Sequence, residues 1–173
     1  MTEVEFTIRE AIPDDAVEIL RALKIAGSET PFLVMDEKGL EMTPVEMSEN
    51  LANLYESPNN LLMVALADEQ VIGTASIKAS SKKRIEHIGE IGISILKDYW
   101  GFGLGTLMME ELIEWAKESG VIRRLELTVQ HRNQRAVHVY EKIGFKTETI
   151  MARGAKTDED EFLDVHLMSR LID

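Results

Sequence analysis

Three glycines in five residues, Gly101, Gly103 and Gly105, separate an alternating apolar segment from a long amphipathic one. The stretch runs Ile93-Ser94-Ile95-Leu96-Lys97-Asp98-Tyr99-Trp100-Gly101-Phe102-Gly103-Leu104-Gly105-Thr106, and its strand-like alternation breaks at Asp98-Tyr99. A glycine-rich turn between a strand and a helix exposes backbone N–H groups at the positive end of the helix dipole. That makes an anion site, and phosphate is its commonest occupant. Two nucleotide motifs fail here. A Walker loop needs a lysine before its final Ser/Thr, and Thr106 follows Gly105 directly. The dinucleotide fingerprint needs G-x-G-x-x-G in an early strand–helix–strand unit, whereas this G-x-G-x-G lies late in the chain. Other chemistries are excluded by composition. There is no cysteine to act as nucleophile or thiolate ligand, and His87, His131, His138 and His166 lack ligand-like spacing with carboxylates, so no metal site is indicated.

The elements that must position this turn are legible in outline. Phe6 to Arg9 reads as a first strand, closed by Pro13. Asp14 or Asp15 can cap a helix that carries Val17, Ile19, Leu20 and Leu23 and stops near Gly27. Ser28 to Met42 has no period and reads as a long loop. Thr43-Pro44-Val45-Glu46 is a capping box with proline at the first helical position, opening a helix to about Glu56. Leu61 to Ala67 and Val71 to Ala79 form a hairpin around Asp68-Glu69-Gln70, and Ile85 to Leu96 reads as the next strand. After the glycine turn, Leu104, Leu107, Met108, Leu112, Trp115 and Ala116 share a helix face, and Gly120 ends that helix. Leu125, Leu127 and Val129 alternate in a strand. Asn133 can cap a short helix to Ile143 with Gly144 as its stop, and Asn133, Ala136 and Tyr140, at offsets 0, 3 and 7, fall on one face of it. Phe145 to Arg153 and Phe162 to Ser169 read as two closing strands. The prediction is one α/β domain over residues 1–173 with a mixed sheet.

Charge narrows the partners. The net charge is −12, and −11 of it falls in residues 1–70. Nucleic-acid binding rests on Lys/Arg contacts to phosphates, so this field disfavours it. A cationic small molecule would be drawn to the first part of the chain. Met1 to Glu10 holds three acids and one arginine, unlike a signal or transit peptide, and nowhere is an apolar run long enough to span a membrane. A soluble, cytoplasmic protein is the expectation.

With these residues in view, the chain resembles the GNAT family of acyl-coenzyme A-dependent N-acetyltransferases. The resemblance covers roughly Leu61 to Leu167. Trp100-Gly101-Phe102-Gly103-Leu104-Gly105 sits where the family has Q/R-x-x-G-x-G/A, with Trp100 in place of the polar first residue. Separately, Asn133 to Phe145 follows the family pattern N-x-x-A-x-x-x-Y-x-x-x-G-F. The resemblance implies a sheet of six to seven strands flanked by about four helices and splayed at the fourth strand. It implies acetyl-coenzyme A as cofactor, with its pyrophosphate on the amides from Trp100 through Leu104 to Thr106 and its pantetheine along the backbone of Ile93, Ser94 and Ile95. Ala136 would leave room for the cofactor tail, with Asn133 and Tyr140 offering polar groups beside it. A backbone N–H near Ile93 would stabilise the tetrahedral oxyanion, and Tyr140 would protonate the departing sulfur. Replacing the polar first residue by Trp100 lowers the electrostatic attraction for pyrophosphate.

The base that deprotonates the acceptor amine stays open among Glu90, His87 and Glu29. The acceptor is a primary amine on a small cationic molecule or a peptide N-terminus. Ribosomal-protein N-terminal acetylation and a non-catalytic acyl-coenzyme A sensor are the alternatives. Many relatives pair through closing strands, so a homodimer through Phe145 to Met168 and a monomer are both open.

Overall fold

The computed structural model describes residues 3–33 and 35–173. Along the chain it builds β1 (Phe6–Glu10), α1 (Ala16–Glu29), α2 (Pro44–Glu56), β2 (Leu61–Ala67), β3 (Gln70–Lys78), β4 (Ile88–Ile95), α3 (Leu104–Ser119), β5 (Arg124–Gln130), α4 (Gln134–Lys142), β6 (Lys146–Lys156) and β7 (Phe162–Leu171). The seven strands form one sheet in the order β1-β2-β3-β4-β5-β7-β6. Every neighbouring pair is antiparallel except β4 and β5. Among the described residues no helix is long and apolar enough to cross a membrane.

Strand alternation sorts the side chains onto two faces. One face packs Leu61, Ala65, Ala75, Ile77, Ile91, Leu125, Leu127 and Met168 with Met108, Met109 and Leu112 of α3 and Val137 of α4. The other packs Val64 and Leu66 with Ile19 and Ala22 of α1 and Met47 and Leu51 of α2. Helices on both faces of the sheet explain why β2 and β3 are apolar on both sides.

Several expected boundaries hold. Thr43 and Glu46 close a reciprocal capping box, Thr43 Oγ1 accepting from Glu46 N–H (3.2 Å) and Glu46 accepting from Thr43 N–H (2.9 Å). Gly120 and Gly144 end α3 and α4 with φ of 69° and 93°, a conformation glycine adopts without strain. Others move, each for a physical reason. Gly27 does not stop α1, which runs on to Glu29. A Cβ at Gly27 would lie 2.0 Å from the Asp36 carbonyl oxygen, so the glycine serves the close approach of the following loop. β4 starts at Ile88, three residues later than its apolar pattern suggests, because Asn59 donates to the carbonyls of Ser80 (2.9 Å) and Glu86 (3.0 Å) and holds the segment as a turn. Leu107 is half exposed rather than core: at about 100° per residue it falls about 60° outside the arc that begins at Leu104 and takes in Met108, Leu112 and Ile113. Val17 is likewise exposed.

Asp15 does not cap α1 through its side chain. Its carboxylate accepts Ile12 N–H (2.8 Å) and both terminal nitrogens of Arg9 (2.8 and 2.9 Å). The Arg9 hydrogen bonds, opposed by burial, hold the carboxyl below its ordinary pKa. Asp15→Ala should therefore cost about 2 kcal/mol at neutral pH, as loss of a charged, mostly buried acceptor does. The native pKa is depressed, so the stabilisation is complete above the unfolded value of about 4 and is lost as pH falls below it. Urea unfolding of both proteins between pH 3 and 7 reads this. A difference that did not shrink in acid would refute it.

Candidate active site

β4 and β5 are paired only over Ile88–Glu90 and Arg124–Glu126. Beyond that they diverge, while β4 stays in register with β3 up to Ile95. The result is a wedge in the centre of the sheet, with Ile91 to Ile95 on one lip and Leu127 to Gln130 on the other. Leu96 N–H donates to Ile72 O (2.8 Å) on the β3 side. Amides in an antiparallel ladder alternate sides, so those of Ile93 and Ile95 turn into the wedge. An extended ligand meets there an unpaired strand edge it could complete as an added strand.

At the open end of the lip the chain passes through the glycine turn. Gly101 and Gly103 take φ of 87° and 79°, and a Cβ at either would meet no protein atom within 4 Å. α3 then begins with no side-chain cap on Gly103. Its first internal bond is Leu107 N–H to Gly103 O (3.1 Å), so the N–H groups of Leu104, Gly105 and Thr106 have no partner inside the helix. Sixteen aligned residues put a partial positive charge behind them. A Cβ at Gly105 would touch only Ile95 Cδ1 at 3.6 Å, so packing does not require a glycine there. Trp100 fastens the turn to the end of β4, its indole N–H donating to Ile95 O (2.7 Å). Phe102 and Tyr99 pack on Phe6 of β1 (5.8 and 6.2 Å between ring centroids).

α4 lies across the same face. Asn133 caps it by accepting Ala136 N–H (3.3 Å), so its oxygen is engaged and its amide nitrogen is the group left to face a ligand. Ala136 and Tyr140 pack partly buried against the core, and the Tyr140 ring meets Phe145 edge-on (6.3 Å). Burial pushes the Tyr140 phenol above its ordinary pKa, so it is held protonated as a donor.

The three candidate bases are dispersed. Glu90 is exposed at the apex of the wedge, opposite Glu126, on the α1/α2 face. Arg124 pairs with both Glu126 (2.8 Å) and Glu148; among the described residues Glu90 has no ion-pair partner. His87 lies before β4, outside the wedge, and its carbonyl accepts Arg123 and Arg124 N–H (2.9 and 3.1 Å). Glu29 accepts Lys97 N–H (3.2 Å) and so anchors α1 to the end of β4.

Two arrangements have no motif in the sequence. His131 Nδ1 and His166 Nε2 share a hydrogen bond of 2.7 Å with stacked rings, and His166 Nδ1 is 3.0 Å from Thr147 Oγ1. On the opposite face, Gln130 donates to Pro31 O (3.1 Å), Arg132 Nε donates to Gln130 Oε1 (2.7 Å), and the Arg132 guanidinium lies over Phe32 (5.4 Å). With Glu29 on Lys97, residues 29–32 form a strap from the β4 lip to the β5 lip. Contacts across 99 residues leave no local signal.

Comparison with known proteins agrees with this geometry. Residues 31–145 match the model of the acetyltransferase (GNAT) family. The L-amino acid N-acetyltransferase AaaT of Escherichia coli is 30% identical over 118 residues, covering 68% of this chain and 72% of that one. A crystal structure of an acetyltransferase of the GNAT family from Streptococcus pneumoniae superposes with a TM-score of 0.95 at 45% identity, covering 97% of this chain and all of that one. A phosphinothricin acetyltransferase from Sinorhizobium meliloti, solved in complex with acetyl-coenzyme A, shares the fold at 19% identity, with a TM-score of 0.82 over 96% of this chain and 88% of that one.

Proposed function

The chain belongs to the acetyltransferase (GNAT) family, and we propose that it transfers the acetyl group of acetyl-coenzyme A to the primary amine of a small molecule by direct attack. One observation carries this reading: the unpaired amide edge of β4 runs straight into an uncapped, glycine-opened helix N-terminus. An extended amide chain ending in a pyrophosphate matches both halves of that groove. When bound, the cofactor supplies an acetyl thioester.

The chain's own groups account for the remaining demands. The N–H groups of Leu104, Gly105 and Thr106, with the turn from Trp100 to Gly103, seat the pyrophosphate. Ile93, Ser94 and Ile95 hold the pantetheine arm as an added strand would, beside Asn133 and Ala136. Ile93 N–H donates to the oxygen on which negative charge develops during attack. Tyr140 gives its phenolic proton to the departing sulfur. Glu90 accepts the proton that the attacking ammonium must lose, directly or through a water, because an amine of pKa near 10 is mostly protonated at neutral pH. An acceptor of amino-acid type is supported by the Escherichia coli relative's name and by the strap, which holds a guanidinium across the wedge from Glu90.

Initial rates of thiol release with acetyl-coenzyme A and a panel of L-amino acids, polyamines and N-terminal peptides test the proposal. Intersecting double-reciprocal lines and equal amounts of free thiol and acetylated amine are expected. Parallel lines would point to an acyl-enzyme. Transfer to ribosomal N-terminal peptides alone would move the acceptor to proteins. Coenzyme A binding without transfer to any amine would make the chain a sensor.

A further inference from the structure

We infer that Arg132 reads the carboxylate of the acceptor, so that the enzyme selects α-amino acids over amines lacking an α-carboxylate. This deepens the proposed reaction and rests on it for the position of the reacting amine. The guanidinium is fixed from two directions. Nε donates to Gln130 Oε1 (2.7 Å), and one π face covers Phe32 (5.4 Å). Gln130, nine-tenths buried, is itself fixed by its bond to Pro31 O (3.1 Å). Among the described residues Nη1 and Nη2 have no protein partner, and a locked fork with two parallel N–H donors is the arrangement that binds a carboxylate in bidentate fashion.

The order of the strands places that fork at the open end of the wedge. Glu90 stands opposite Glu126. Past that pair the strands diverge, and Arg132, in the turn that follows β5, stands at the same open end of the wedge as the Ile93 amide on β4. On that face Arg124 pairs with Glu126 and Glu148, which leaves Glu90 as its unpaired carboxylate among the described residues. One free carboxylate, Glu90, on the β4 lip and a guanidinium on the β5 lip suit a zwitterion better than the polycation that the net charge of residues 1–70 first suggests.

The test compares the preferred L-amino acid of a twenty-member panel with its decarboxylated amine and its α-amide. Expected for the wild type is a kcat/KM at least tenfold higher for the amino acid. Arg132→Gln should raise KM for the amino acid about 10- to 100-fold, with kcat little changed and KM for the decarboxylated amine within a factor of about three. Arg132→Lys should recover part of the loss, because it returns the charge without the fork. Calorimetric titration of the amino acid into the protein saturated with coenzyme A reads the same contrast without turnover. Carboxylate-dependent binding lost in Arg132→Gln but no acetyl transfer would overturn the transferase reading and leave the clamp standing. Active enzyme that treats amino acid and amine alike, or variants that weaken both equally, would refute the clamp. So would a protein that neither binds nor acetylates any amino acid. Should Arg132→Gln melt below the wild type by more than a few degrees, Phe32→Leu, which removes only the stacking, must show the same selective rise in KM.

Discussion

Tyr140→Phe is expected to lower kcat by about 10²- to 10³-fold while leaving the affinity for coenzyme A and the melting temperature nearly unchanged. The ring has a role apart from its oxygen. Tyr140 packs on the core and meets Phe145 edge-on at 6.3 Å, and phenylalanine keeps that contact. Only the hydroxyl is lost. Burial raises the phenol's pKa above its ordinary value near 10, so at neutral pH the residue is an acid with its proton in place. A departing alkyl thiolate has a conjugate acid near 8.5, judged by cysteine, so its need for a proton at neutral pH is real. Because the phenol's pKa is raised, its titration should not enter the wild-type profile below about pH 10, and any limb near neutrality belongs to the amine or its base. Unchanged turnover across the accessible pH range in Tyr140→Phe would remove Tyr140 from the chemistry and leave it a packing residue.

How much of this was legible depended on how local the determinant was. The capping box at Thr43, the stops at Gly120 and Gly144 and the uncapped turn at Gly103 each depend on a few adjacent residues, so residue type alone predicts them. The wedge is different. It follows from where β5 stops pairing with β4, a property of strand order that no window of the chain contains; the family resemblance supplied it. The misplaced start of β4 shows the competing effect directly: Ile85 has a strand former's side chain, yet the Asn59 amide, 27 residues away from Glu86, holds the backbone in a turn. The strap is the extreme case. Phe32, Gln130 and Arg132 carry no motif, and their alignment needs both lips of the wedge to exist first. Trp100, which departs from the family pattern, is explained only by its bond to Ile95 O.

Gly105 offers the largest separation of stability from binding. Helical glycine is normally a weakness, and alanine in its place stabilises by up to about 1 kcal/mol. Here the new Cβ meets only Ile95 Cδ1 at an ordinary 3.6 Å, and the φ is not left-handed, so Gly105→Ala should melt at the same temperature or higher. If pyrophosphate rests on the α3 N-terminus, a β-branched side chain at 105 crowds the anion over the amides of Leu104 to Thr106, whereas a single methyl, which the family pattern admits at this position, leaves them reachable. Losing one or two hydrogen bonds to a charged group weakens coenzyme A by about a hundredfold for Gly105→Val, while Gly105→Ala should bind it within a few-fold of the wild type. Gly103→Ala is the contrast: its φ of 79° strains any other residue, so stability and affinity should fall together. Calorimetry with coenzyme A and with its pyrophosphate-free analogue pantetheine distinguishes the causes, since Gly105→Val should lose affinity for the first and keep it for the second. Full-strength coenzyme A binding by Gly105→Val would mean that the glycine turn, however suited to an anion, is not where this anion sits. The amide edge of β4 would then have to hold the cofactor with the help of some other cation at the mouth of the wedge.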